Sequence, residues 1–111
     1  MQEKLLYGAA GHYRRGRELE ADGHREEALQ AWQAALRDLH AVAPQRMRDI
    51  LLAQVYLACH IASRTDDPEG AATDLRLGYS YARTTRDTSV RQLAEDLWRE
   101  QRETRRAQPL E

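Results

Sequence analysis

The stretch GRELEADGHREEALQAWQAAL at positions 16–36 decides how the rest of the chain folds. Gly16, Leu19, Ala28, Trp32, Ala35 and Leu36 recur at three- and four-residue steps on either side of Gly23, so two amphipathic helices meet across a glycine stop. Small residues at Gly16, Ala28 and Ala35 let the two backbones approach, and Trp32 with the leucines fills the space between them. The stretch reads as an antiparallel helical hairpin suited to stacking on further hairpins.

The composition around it agrees. Of 111 residues, 41% are hydrophobic and 32% charged, with 3 prolines, 6 glycines and no phenylalanine, a mixture that suits long hydrated helices better than sheet. One domain is expected over 1–107, with 108–111 as a disordered tail. The formal net charge of -1 provides no general attraction to a phosphate backbone or an anionic bilayer, so neither nucleic acid nor membrane is an expected partner. No apolar run approaches the roughly 20 residues of a membrane helix, and the apolar stretch near the N-terminus is too short for a signal-peptide core. A cytoplasmic location is the expectation. Cys59 is the single cysteine, which leaves no internal disulfide and no multi-cysteine metal site.

Five helices follow from the periodicity. The first runs from Gln2 to about Ala21 with Leu5, Ala9, His12, Gly16 and Leu19 on one side, and Gly23 stops it. The second starts near Arg25, carries Glu26 and Glu27 at its positive end, and ends near Val42 before Pro44. The third begins at or after Pro44 and reaches about Thr65, with Met47, Ile50, Leu51, Val55, Ala58, Cys59 and Ala62 as its apolar stripe. Asp67-Pro68-Glu69 opens the fourth: a capping aspartate, then a proline where no N–H is required, then a first-turn glutamate. In the fifth, Ser89-x-x-Gln92 forms a capping box, Val90, Leu93, Ala94 and Leu97 make a narrow stripe, and fraying is expected from about Glu100.

These helices repeat. Ala28, Trp32, Ala35 and Leu36 align with Ala71, Leu75, Gly78 and Tyr79, and His12, Gly16 and Leu19 align with Val55, Cys59 and Ala62 and again with Val90, Ala94 and Leu97. The template resembles the tetratricopeptide repeat, a helix–turn–helix unit of about 34 residues. Gly16 and Ala28 match its small contact positions, Gly23 its turn and Trp32 its large aromatic position, while His12 replaces the usual tryptophan and Cys59 a glycine. The step from Ala28 to Ala71 is longer than the family repeat, with the extra residues around 38–50, whereas the step from Cys59 to Ala94 is close to it. The resemblance implies an all-α, right-handed stack of five antiparallel helices forming about two and a half repeats. Ala43-Pro44-Gln45-Arg46 and the segment beginning at Tyr81 also resemble the helical-repeat regions of actinobacterial transcription regulators.

In that family the first helix of each pair lines a concave groove. Mapped here, the groove holds Tyr13, Arg17 and Glu20, then Tyr56, His60 and Arg64, then Arg91, Glu95, Trp98 and Arg99. Aromatic rings offer rigid contact area and arginine offers forked donors, so the groove implies a protein or peptide partner of acidic character. The competing reading of the same residues is a solvated face held by pairs such as Glu95–Arg99. A module that senses a small molecule in the same concavity is the alternative function, and apolar surface left at the stack ends allows a homodimer through the first or fifth helix. The family's lysine–asparagine clamp for a carboxylate terminus is absent, since Tyr13 and Arg17 hold its positions. No phosphate loop, catalytic acid pair or serine elbow is present, and His12, His24, His40 and His60 lack metal-ligand spacing. No enzyme activity, cofactor or metal is expected. Cys59 reads as a small core residue.

Overall fold

The computed structural model describes residues 2–107, so the expected tail at 108–111 lies outside the described residues. Five helices account for nearly all of it: α1 Gln2–Ala21, α2 Arg25–His40, α3 Arg46–Ser63, α4 Pro68–Thr84 and α5 Thr88–Ala107. Among the described residues there is no strand.

The helix ends show why the boundaries fall where they do. Gly23 adopts φ 86°, the left-handed conformation an L side chain resists. The N–H of Gly23 then donates to Glu20 O at 3.0 Å and that of His24 to Leu19 O at 2.8 Å, satisfying the last carbonyls of α1. After α2 the chain makes one tight turn that buries Val42, and Arg48 Nη1 donates to Val42 O at 3.1 Å, fastening the loop to the start of α3. Asp67 caps α4 by accepting from Gly70 N at 3.1 Å. The cap of α5 is Asp87 and not the Ser89–Gln92 box: Asp87 Oδ1 accepts from Val90 N at 2.9 Å. A charged acceptor at the positive helix end outcompetes a serine two residues later, and Gln92 turns outward to Asp96.

Packing begins with α1 against α2, where Gly16 faces the buried indole of Trp32 and Trp32 Nε1 donates to Tyr13 O at 3.2 Å. Gly8 lies near Asp38 at the other end, so the two helices run antiparallel. In α3 and α4 the roles of small and large are reversed, with Gly78 of α4 against Leu57 of α3. Beyond these pairs, α1 touches α3, α3 touches α5, and α2 and α4 each touch the helix that follows; α1 meets neither α4 nor α5. The result is elongated, 52 × 31 × 20 Å.

α3 is the middle of the molecule. Leu51, Leu52, Val55, Tyr56, Cys59 and Ala62 join one core with Ala9, Ala28, Trp32, Ala35 and Leu39, whereas Ala53 and Leu57 join a second with Leu75, Ala82, Val90, Ala94 and Leu97. A helix covered on two sides buries most of its circumference. None of the helices among the described residues is long and apolar enough to cross a membrane.

Candidate functional site

Of the ten side chains expected in one groove, Tyr56 and His60 are buried, Tyr13 and Trp98 are half-buried, and the other six are exposed. Tyr13 packs half-buried against the first core, with the Arg17 guanidinium 5.9 Å from its ring centroid, and Glu20 is exposed beside them. Tyr56 is not a groove residue: it is 9% exposed, lies 2.9 Å from His40 Nε2 through its hydroxyl, and stacks parallel to Tyr81 at 6.1 Å. His60 is 2% exposed, and its ring Nδ1 is 2.8 Å from Ala71 O. The expected stripe Tyr56–His60–Arg64 therefore points between α3 and its neighbours, and only Arg64 reaches solvent, where it pairs with Glu100 at 3.1 Å.

Trp98 also turns inward, with its ring 4.6 Å from that of Tyr79 on α4, and Arg83 stands over Tyr79. Arg91 and Glu95 are exposed, and Arg99 pairs with Asp96 at 3.4 Å in place of the expected Glu95. The physical reason is the setting of α3. A single apolar stripe implies one buried side, but the run ILLAQVYLACHIA at 50–62 is apolar around the helix, and that is the signal by which its two-sided burial was legible.

What α3 does leave open is a narrow strip at helical spacing. Met47, Gln54, Ala58 and Ile61 share this face; Met47 is 52% and Ile61 37% exposed, whereas the sequence pattern placed Met47 in the core. Beside it on α1, Leu6, Tyr7 and Ala10 join Met47, Leu51 and Glu3 around a cleft of about 230 Å³, with Tyr7 78% exposed. The cleft is lined mainly by apolar side chains with Glu3 at its edge, and Arg17 follows Leu6, Ala10 and Tyr13 along the same face of α1.

A second concavity lies where the end of α3, the start of α4 and the last turns of α5 converge. It encloses about 570 Å³ and is lined by His60, Arg64, Glu69, Arg76, Glu100 and Arg105 together with threonines from α4 and α5. Burial chiefly holds His60 below the ordinary histidine pKa, with the Ala71 hydrogen bond opposing, so the ring is neutral. Burial, assisted by the carboxylates of Asp74 and Glu20, pushes the Cys59 thiol up to about 12, which leaves it without nucleophilic character near neutrality. Among the described residues, no group of three or more histidine, cysteine or acidic side chains is placed to hold a metal.

Comparison of the chain with models of known protein families, with curated proteins and with solved structures gives no match in any of the three.

Proposed function

We propose that the chain is a short tetratricopeptide-like stack acting as a protein-interaction adaptor, and that it receives an apolar segment of its partner on the strip shared by α1 and α3. The order of contacts supports the stack reading, because each helix meets only near neighbours in the chain, as a one-dimensional array requires. The observation that carries the functional reading is the exposed pair Tyr7 and Met47 over one cleft, continued along α3 by Ile61. Exposed apolar side chains brought together over one cleft favour a recognition surface. The partner segment is apolar at its anchor points.

The test is parallel affinity capture from the native cell extract with the wild-type chain and with the double variant Met47→Glu, Ile61→Glu. Both positions are open, so helical content measured by circular dichroism stays unchanged. Proteins retained by the wild type and lost by the variant support the adaptor reading. Identical capture by both overturns it, and so does capture of the chain itself with a dimer–monomer difference in sedimentation, since the strip is then a homodimer interface.

A further inference from the structure

The concavity between α3, α4 and α5 has a floor and a rim of different chemistry. His60 forms the floor. A carbonyl oxygen only accepts, so the 2.8 Å contact with Ala71 O fixes the proton on Nδ1 and leaves Nε2 of the neutral ring as a lone-pair acceptor. Nε2 has no hydrogen-bond partner among the described residues. No sealed side-chain nitrogen or oxygen among them lacks a partner, so this atom is not closed off in the core; it opens on the cavity that His60 lines.

The rim is cationic. Arg64 is engaged by Glu100 at 3.1 Å, but the only hydrogen bond of Arg76 is to the hydroxyl of Thr73 at 3.4 Å, and Arg105 has no ion pair among the described residues. Arg76 and Arg105 thus line the cavity without an ion pair among the described residues, although the carboxylates of Glu69 and Glu100 line it too, and His60 Nε2 offers an acceptor that a donor can reach. The lining holds three arginines against two glutamates, so its balance is cationic, and a bare anion makes no use of the Nε2 acceptor. The volume of about 570 Å³ falls within the range of small-molecule sites.

We propose that this cavity binds a small hydroxylated anion, whose phosphate or carboxylate group is taken by Arg76 and Arg105 and whose hydroxyl donates to His60 Nε2. Guanidinium forks match either oxyanion, and discrimination among ligands comes from the hydroxyl, which adds a hydrogen bond to Nε2 that a ligand lacking it forgoes. The site is distinct from the α1–α3 strip and stands whether or not that strip binds a partner.

Isothermal titration of the full chain with four probes tests it: glycerol 3-phosphate, glycerate, methyl phosphate and glycerol. Saturable binding of glycerol 3-phosphate or of glycerate is expected, and the stronger of the two names the anion. Methyl phosphate, which lacks the hydroxyl, is expected to bind about tenfold more weakly than glycerol 3-phosphate, and glycerol not at all. The double variant Arg76→Gln, Arg105→Gln alters two exposed side chains and is expected to retain its circular dichroism while losing at least about tenfold in affinity. No saturable binding of either hydroxylated anion, equal affinity for methyl phosphate, or affinity unchanged in the double variant each overturns the proposal.

Discussion

Replacing Gly16 by alanine tests the contact on which the first hairpin depends. A Cβ at this position falls 2.6 Å from Trp32 Cδ1 and 2.7 Å from Cε2, distances that real side chains do not adopt. Trp32 is fully buried between α1 and the rest of the first core, so the indole has no open space to move into. Overpacking of this kind costs about 1–3 kcal/mol. Displacing the ring also breaks its bond to the Tyr13 carbonyl, and a buried indole N–H left unpaired adds about 1–3 kcal/mol. Alanine returns about 1 kcal/mol through its better helix propensity, so the net loss is about 1–5 kcal/mol, and its midpoint of about 3 kcal/mol corresponds to roughly 10–15 °C in Tm for a chain of this size. Gly11→Ala is the internal control. A Cβ there meets nothing within 4 Å, so the same substitution in the same helix should stabilise by about 0.5–1 kcal/mol. Thermal and urea unfolding, followed by circular dichroism and tryptophan fluorescence together, measures both. A Gly16→Ala variant as stable as the wild type refutes the close approach of α1 and α2 through Trp32.

Asp74 is half-buried on α4, and burial, with Asp67 adding, raises its carboxyl from an ordinary 3.8 to about 6. The native state therefore binds more protons than the unfolded chain between those values, stability falls as pH rises through the window, and the ionised group is a burden above it. A shift of this size corresponds to at most roughly 3 kcal/mol, and water access reduces it to about 1–2 kcal/mol. Asp74→Asn should accordingly raise stability at pH 7.5 and give no gain at pH 4; a gain of equal size at both pH values contradicts the assignment. At the start of α5, Asp87→Ala should cost about 1 kcal/mol and Ser89→Ala only a few tenths, and equal losses in chemical denaturation reject Asp87 as the cap. Cys59, with its thiol pushed up to about 12, should remain unmodified by iodoacetamide at pH 7.5 in the folded chain and react at once in denaturant; rapid labelling of the native protein counts against its burial.

The order and type of the helices were legible because local chemistry decides them. Gly23 supplies a left-handed residue at the end of α1, and Asp67-Pro68 supplies a cap and a pre-set first turn, whatever lies elsewhere in the chain. Trp32 opposite Gly16 was legible for a related reason: a residue without a side chain, across from the largest one, leaves few alternatives. The candidate groove was not legible to the same degree, because it depends on how far each helix is covered by its neighbours. α1 has one buried side, but α3 is shared by two cores: Ile50, Leu51, Val55, Cys59 and Ala62 are buried as the stripe implied, the second covered side buries Tyr56 and His60 as well, and Met47 is exposed. The cap of α5 failed for a smaller reason. Two acceptable acceptors lie within three residues, and sequence pattern does not rank them where helix geometry does.

The central claim is that the α1–α3 strip is the recognition surface. Amide chemical-shift mapping of the labelled chain during titration with the captured partner segment addresses it most directly. The account predicts that the perturbed residues concentrate at Leu6, Tyr7, Ala10, Met47, Leu51 and Ile61, with the α2 and α4 faces silent. Perturbations centred on His40, Tyr79 or Arg83, with Tyr7 and Met47 unmoved, would contradict it.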